Sequence, residues 1–252
     1  MKQQMTQEVE PEELEVGQTA EIYPGVVVER RCFLRSTALA LSALAIPGVA
    51  TAQLAKQGNE PMTYEEFLKE VVPVAKRLVS DTSLMGQHRY LLTLASYAVR
   101  LGDVAVPTMR TSEPGTFIGA NAGGDPFIVL HWLMEPGSII RPHAHTFGNV
   151  LTLSLEGDVN VENFEIVGVR DFDAKGTFKV RKTLSHLLTP GKVNLVNLER
   201  DYIHGFQAGA RGGRGLDFTT RIREKRSTPV YLNLSRNPAV SDPALYEARW
   251  TN

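Results

Sequence analysis

Residues 136–157 of the 252-residue chain read PGSIIRPHAHTFGNVLTLSLEG. His143 and His145 stand two positions apart, and in an extended chain residues i and i+2 point to the same face. Two imidazoles on one face can bind a single metal ion. The leucines at 151, 153 and 155 alternate with Thr152 and Ser154, as in a strand with one apolar face. This stretch therefore predicts a β structure that carries a metal site.

A third histidine, His204, follows another predicted strand at residues 193–198. An antiparallel barrel can bring that strand beside the first. Three neutral imidazoles suit Fe, Zn, Ni, Cu or Mn(II) in a half-open coordination sphere. We therefore predict that His143, His145 and His204 are metal ligands. His131 lies in an apolar run and is expected to be a core residue or to support a ligand.

The spacing around the histidine pair resembles the first motif of the cupin superfamily. That motif runs Gly, five residues, His-x-His, three or four residues, Glu, six residues, Gly. Gly137, His143, His145 and Gly157 occupy the matching positions. The resemblance implies a cupin (jelly-roll) barrel, which is a mainly β fold.

The second cupin motif is matched less closely. Gly191 and His204 are the counterparts of its Gly and its third His, but His204 falls two residues later than the motif expects. Asn197 sits where the motif has Pro, and Glu199 where it has the turn Gly. The resemblance covers approximately residues 127–222.

The Glu of the first motif is missing. Its place is taken by Asn149 or Val150, and the register fixed by Gly157 favours Val150. A set of three histidines without Glu looks like the thiol dioxygenase branch, which acts on cysteine, mercaptopropionate or aminoethanethiol with Fe(II). Residues 200–204, RDYIH, resemble the Arg-Asp-Asn-Leu/Ile-His of the aminoethanethiol type. Two further features of that branch have no counterpart after Ala52: the Cys near the metal of the cysteine type, and the Ser-x-His-x-Tyr relay after the third His.

Loss of the Glu has a chemical consequence. Three neutral ligands leave the 2+ charge of the metal uncompensated, which stabilises a thiolate ligand and lowers the pKa of a substrate thiol. The prediction is a non-haem Fe(II) dioxygenase that oxidises a small thiol to a sulfinate. Ni, Mn, Cu or Zn are alternatives for the metal. Alternatives for the function are another metal-dependent cupin enzyme (a ring or diketone dioxygenase, or an isomerase) and a non-catalytic cupin that binds a metal or a small ligand.

Three further residues are candidates for catalytic roles. Tyr202 lies two positions before His204 and could share its inward face, although core packing fits equally well. Arg141 could clamp a substrate carboxylate in bidentate fashion, or be a solvated surface group. Asn149 could donate a hydrogen bond to a bound ligand, or only stabilise a turn.

The chain after residue 52 divides into helices, a barrel and a tail. A capping box at Thr63–Glu66 predicts a helix over residues 63–78, which Pro73 should kink or split. A second helix is expected over residues 83–100, and both should pack on the outside of the barrel, within a helical segment 53–103. The barrel is predicted over residues 104–235. The tail, 236–252, should form a short helical patch at 244–250 that packs Tyr246 and Trp250 onto the body. Predicted strands are residues 127–134, 150–155, 159–164, 177–182, 193–198, 216–222 and 230–234.

Residues 1–52 resemble a twin-arginine signal peptide. Arg30-Arg31, a spacer, Phe33-Leu34 and Arg35 precede a weakly apolar stretch that ends in an A-x-A pattern at Ala52. The resemblance implies export by the twin-arginine translocase, cleavage after Ala52 and a periplasmic mature protein. A helix of the folded protein and an uncleaved amphipathic anchor are the alternatives.

Composition excludes several other classes of protein. With 27 basic and 28 acidic residues there is no basic excess to hold a phosphate backbone, so nucleic-acid binding is not expected. No apolar run reaches the roughly 18 residues of a membrane span. The single cysteine, Cys32, rules out an intrachain disulfide framework and any multi-cysteine zinc site. The expected partners are O2 and a small-molecule substrate, and the resemblance to cupins implies a homodimer.

Overall fold

The computed structural model of the chain describes residues 60–78, 81–223, 229–235 and 237–251. The predicted export signal and Cys32 lie outside these residues. In the part of the chain that is described, no helix is both long and apolar enough to cross a bilayer.

Two helices precede the strands. Helix α1 spans Tyr64–Leu78 and helix α2 spans Leu84–Ala98. The predicted capping box is confirmed, because Glu66 N donates to Thr63 Oγ1 (3.2 Å) and Thr63 N donates to Glu66 Oε2 (2.9 Å). Pro73 does not split α1. Pro73 and Lys69 are exposed, so the Lys69 carbonyl that loses its N–H partner faces water.

Ten strands make up most of the remaining described chain. They form a single sheet in the order β1-β2-β3-β8-β4-β9-β10-β6-β5-β7, with β5 also paired to β8. The strands are β1 (Arg110–Glu113), β2 (Thr116–Gly124), β3 (Phe127–Met134), β4 (Ile139–Ala144), β5 (Gly148–Ile166), β6 (Phe178–Leu188), β7 (Val193–Val196), β8 (Ile203–Arg221), β9 (Val230–Leu234) and β10 (Leu245–Thr251).

The additional pairing of β5 with β8 closes the sheet into a barrel. Strands β8, β4, β9, β10, β6 and β5 form a ring in which each strand pairs antiparallel with the next, and β5 returns to β8. The predicted fold class, a mainly β jelly-roll barrel with two N-terminal helices, is therefore confirmed.

The stretch around Gly157 differs from the prediction. Residues 150–155 and 159–164 are not two strands but parts of one, β5, which passes Gly157 through irregular pairing with β8. Gly157 has φ +75°, and a Cβ there would lie 2.1 Å from the Gly212 carbonyl oxygen. The glycine permits a bulge and a close approach of two strands rather than a turn.

The predicted helical patch at residues 244–250 is wrong. This segment is strand β10, which pairs with β6 and β9. Tyr246, Ala248 and Trp250 alternate with the exposed Glu247 and Arg249, which is the period of a strand. The predicted packing of Tyr246 and Trp250 onto the body is confirmed, since both contact the apolar cluster around Phe164.

The helices pack against one face of the barrel sheet, as predicted. The Phe67 ring of α1 lies 4.9 Å from the Phe218 ring of β8. Leu151, Leu153 and Leu216 belong to the same buried cluster as the inner faces of both helices. Because side chains alternate along a strand, the residues between them on β5 and β8 face the barrel interior.

Candidate metal centre

The three predicted ligands meet inside the barrel. His143 lies on β4 in register with His204 on β8, and His145 directly follows β4. His204 Nε2 lies 2.9 Å from His145 Nε2 and 3.2 Å from His143 Nε2. The residues His143, His145 and His204 are 6%, 5% and 0% exposed. The three side chains therefore form a buried cluster in which ring nitrogens converge.

Burial keeps these imidazoles neutral. It lowers the pKa of His143, and it holds the pKa values of His145 and His204 well below the ordinary value, with the neighbouring histidines adding to the effect. His143 Nδ1 donates to the Arg141 carbonyl oxygen at 2.9 Å, which leaves its Nε2 lone pair directed at the cluster. Neutral rings with free lone pairs are what a metal ion requires.

Packing orients the other two rings. Among the described residues, Nδ1 of His145 and of His204 has no hydrogen-bond partner. The Phe206 ring lies 4.7 Å from His204, and the Phe147 ring lies 6.2 Å from His145. The backbone N–H of His145 donates to the Tyr202 carbonyl oxygen at 3.0 Å.

The nitrogen spacing fits a metal ion. Two nitrogens bound at about 2.1 Å and at right angles lie about 3.0 Å apart. The two Nε2 separations of 2.9 and 3.2 Å are close to this value. Within the described ranges, this trio is the only group of three or more His, Cys, Asp or Glu side chains close enough to share an ion. The cluster could hold a metal, and it contains no carboxylate.

Val150 occupies the position of the Glu in the first cupin motif. It is fully buried on β5, next to Leu151, which packs toward the helices. Alternation therefore directs Val150 into the barrel. An aliphatic side chain there provides no ligand atom, in agreement with a set of three histidines.

Tyr202 belongs to the apolar cluster around Phe164. Its hydroxyl accepts a hydrogen bond from Ile166 N at 2.9 Å, and its ring lies 5.7 Å from Phe172. The Arg170 guanidinium lies 4.9 Å above the ring. These contacts correspond to the core-packing alternative, and a catalytic role for Tyr202 stays a prediction.

The side chain of Arg141 forms an ion pair with Glu113. Its Nε lies 3.0 Å from Glu113 Oε1, and its guanidinium lies 5.0 Å from the centre of the Tyr231 ring. About half of the side chain is exposed. The described contact of Arg141 with the centre is through its carbonyl oxygen to His143, so the predicted substrate clamp stays a prediction.

Asn149 faces the helices. Its Oδ1 accepts the Leu198 N–H at 3.2 Å, and that N–H is shared with Gln87 Oε1 of α2. Asn149 Nδ2 has no partner among the described residues. The structure thus brings the three histidines together and does not bring Asn149 to them; its catalytic role stays a prediction.

Several residues near the centre were not singled out from the sequence. The Tyr231 ring of β9 lies 5.4 Å from the His143 ring. Asn163, in register with His204, exchanges two amide hydrogen bonds with Asn194, at 3.0 and 3.1 Å. Their polar character within buried strands was the available signal.

A surface pocket of about 730 Å³ lies at one edge of this region. It is lined by residues 172–177, 229–231 and 249–251. It shares Tyr231 with the surroundings of His143, but the three histidines do not line it.

Asp217 is a second buried polar feature of the barrel. It lies on β8 between Leu216 and Phe218, is 8% exposed, and is in register with Thr152. Burial raises the pKa of its carboxyl to about 6, against a smaller opposing effect of the Thr152 and Trp132 side chains. The group is therefore a proton acceptor in the mildly acidic range.

This carboxyl predicts a pH dependence of stability. The folded pKa of about 6 lies above an unfolded value of about 4, so the favourable effect of the bound proton is complete below about pH 4 and is lost as pH rises through about 6. Over this window the free energy of unfolding of the wild type should fall by roughly 2–3 kcal/mol relative to Asp217→Asn. Urea unfolding of both proteins at several pH values measures the difference. Parallel profiles across the window would show that Asp217 is not a buried titrating group.

Comparisons with known proteins concern the fold. No protein-family model and no curated protein matches the chain. Among solved structures, it is similar to KdgF from Halomonas sp., with 16% identity over 46% of this chain and 88% of that one and a TM-score of 0.34. A cupin superfamily protein from Desulfitobacterium hafniense shows 18% identity over 44% and 83%, with a TM-score of 0.31. An RmlC-like cupin from Shewanella frigidimarina shows 17% over 47% and 86%, with a TM-score of 0.33. The fold assignment rests on the strand pairing described above.

Proposed function

We propose that this chain is a non-haem Fe(II) dioxygenase that oxidises a small thiol to a sulfinic acid, with the overall reaction RSH + O2 → RSO2H. The observation that carries the proposal is the composition of the centre: three buried neutral imidazoles and no carboxylate. Such a set does not offset the charge of a divalent ion, so the remaining positions favour an anionic ligand such as a thiolate.

The side chains of the centre would hold the ion, orient the ligand rings and exclude water. His143, His145 and His204 would hold the ion, and the hydrogen bond from His143 Nδ1 to the Arg141 carbonyl fixes which nitrogen faces it. When bound, Fe(II) would supply a Lewis acid for the thiolate and the electrons that O2 activation requires. The protein would contribute the geometry of the centre.

Aromatic walls would keep water from the reacting atoms. Phe206 and Phe147 are buried, 3% exposed each, and their rings flank His204 and His145. A low-dielectric surrounding strengthens the attraction between a cationic centre and a thiolate. Exclusion of water would also limit side reactions at the centre.

Oxygen uptake tests the proposal. The chain from Gln53, reconstituted anaerobically with Fe(II), should consume O2 when given pooled cysteine, 3-mercaptopropionate and cysteamine. His145→Ala should abolish uptake, because it removes one of three ligand nitrogens. Metal bound stoichiometrically without uptake would reject small thiols and favour another metal-dependent enzyme or a binding protein.

We also propose export by the twin-arginine route into the periplasm, which is supported by the Arg30-Arg31 pair and the A-x-A pattern ending at Ala52. Replacing both arginines by lysine should retain the full-length chain in the cytoplasm. N-terminal sequencing of the exported wild type should begin at Gln53, and an uncleaved N-terminus would favour a membrane anchor instead.

A further inference from the structure

The surface pocket of about 730 Å³ is separate from the histidine cluster, since none of the three histidines lines it. One wall is the segment between β5 and β6, residues 172–177. The other is formed where two strands meet, by residues 229–231 at the start of β9 and 249–251 at the end of β10. Tyr231 is in register with Thr251, so these two strand ends pair directly. A cavity of this size accommodates a drug-sized molecule.

Several contacts fix the wall of the pocket that precedes β6. Trp250 Nε1 donates to the Asp171 carbonyl oxygen at 3.0 Å, and the Phe172 ring lies 5.6 Å from the Trp250 ring. On its other side the Phe172 ring lies 5.7 Å from that of the buried Tyr202. Asp173 N donates to Asp171 Oδ1 at 2.8 Å, which tightens the turn. The pocket is therefore formed without a ligand, and a ligand would lose little free energy in ordering it.

The lining combines aromatic rings with unpaired positive charge. Phe172, Tyr231 and Trp250 provide the rings. Lys175 and Arg249 are exposed, and within the described ranges neither side chain makes an ion pair. The described lining contains a single acidic residue against these two cations. Aromatic faces offer apolar surface for stacking, and unpaired Lys and Arg side chains attract an anion.

The charges decide between two kinds of ligand. Aromatic rings alone would also suit a cation. Lys175 and Arg249 would repel one, however, and a guanidinium presents a planar pair of donors that matches a carboxylate. We propose that the surface pocket is a second ligand site that binds aromatic carboxylates, with the ring of the ligand against Trp250 and its carboxylate at Arg249 and Lys175. This inference does not depend on the proposed oxidation of thiols.

NMR of the tryptophan indoles in the full chain tests the proposal. The chain has two tryptophans, the buried Trp132 and Trp250 at the pocket, and Trp132→Phe assigns the two Nε1–H signals. Titration with 2-naphthoate should shift the Trp250 signal until it saturates and leave the Trp132 signal in place. Two probes lack one feature each: 2-naphthylmethylammonium has no negative charge, and cyclohexanecarboxylate has no aromatic ring. Both should bind at least about tenfold more weakly.

Lys175→Gln/Arg249→Gln removes both cations from the lining. This double variant should bind 2-naphthoate about tenfold more weakly, because charge-assisted hydrogen bonds are lost. Lys76→Gln/Arg110→Gln is the matched control, since it removes two exposed cations that do not line the pocket, and it should bind as the wild type does. Equal weakening in the two double variants would overturn the proposal. An equal affinity for the ammonium probe, or no shift of the Trp250 signal, would do the same.

A histidine variant separates this site from the histidine cluster. The separation is needed because the Tyr231 ring, which lies 5.4 Å from His143, belongs to the surroundings of both. His204→Gln should retain the response of Trp250 to 2-naphthoate, and loss of the response would place the ligand at the cluster and overturn the proposal. The titration uses no metal and no thiol, so failure of the proposed thiol oxidation would leave its result unchanged.

Discussion

If the histidine cluster holds a metal as proposed, replacement of His204 by alanine should weaken metal binding by roughly a hundredfold or more, because it removes the ring nitrogen that lies nearest to the other two. Its Nε2 makes both short contacts of the cluster, 2.9 Å to His145 and 3.2 Å to His143. The ring is fully buried and its pKa is strongly lowered by burial, so it offers a lone pair throughout the neutral range. Competition with a coloured chelator measures the affinity for Zn(II) and, anaerobically, for Fe(II).

The control is another buried histidine. His131 is 0% exposed on β3, its Nε2 lies 3.4 Å from Arg214 Nη1, and it is outside the metal-capable trio. His131→Gln should bind metal as the wild type does. His204→Gln, which preserves more of the side-chain volume, separates ligand loss from misfolding. Wild-type affinity in both His204 variants would contradict the assignment.

Phe67→Ala should lower the free energy of unfolding by about 3–5 kcal/mol, the usual cost of removing a fully buried phenyl ring. The side chain is 0% exposed on the inner face of α1 and packs 4.9 Å from Phe218, next to Asp217 on β8. Its loss would leave a cavity between the helix and the strand that carries both His204 and Asp217.

Urea unfolding, monitored by circular dichroism, measures this effect. Lys69→Ala on the exposed face of α1 is the matched control and should change stability by less than about 0.5 kcal/mol. A Phe67→Ala protein as stable as the control would mean that the helical segment does not share a core with the barrel.

The histidine cluster could be predicted from the sequence because its strongest signal is local. His143 and His145 need only an extended chain to share a face, and the apolar alternation over residues 151–155 indicates such a chain. His204 lies 61 positions beyond His143 in the sequence, and no local sequence pattern places its side chain beside that of His143. The resemblance to the cupin motifs suggested this pairing, and the register of β4 with β8 produces it.

Local alternation was less informative where the backbone departs from regular extension. Asp201 has φ +52° and β8 begins at Ile203, so the two-residue rule does not carry from His204 back to Tyr202. The segment 244–250 contains helix-compatible residues, but its pairing with β6 and β9 decides in favour of a strand. Such pairing depends on distant residues and tertiary packing overrides local propensity.

The face of the strand on which Asp217 lies could have been inferred from the strand period. Leu216 and Phe218 are apolar neighbours of a carboxyl in a run predicted to be a strand, which places Asp217 on the opposite face. Whether that face is solvent or a barrel interior depends on closure through β5 and β8. This is a non-local property that one strand cannot reveal.

A crystal structure of the chain soaked anaerobically with Fe(II), with anomalous data collected on both sides of the iron edge, tests the central claim most directly. The three-histidine assignment predicts one strong anomalous peak within about 2.1–2.3 Å of the Nε2 atoms of His143, His145 and His204, with no protein carboxylate bound. A peak bound by Asp217 or by other side chains, or full iron loading without a peak between the three rings, would contradict it.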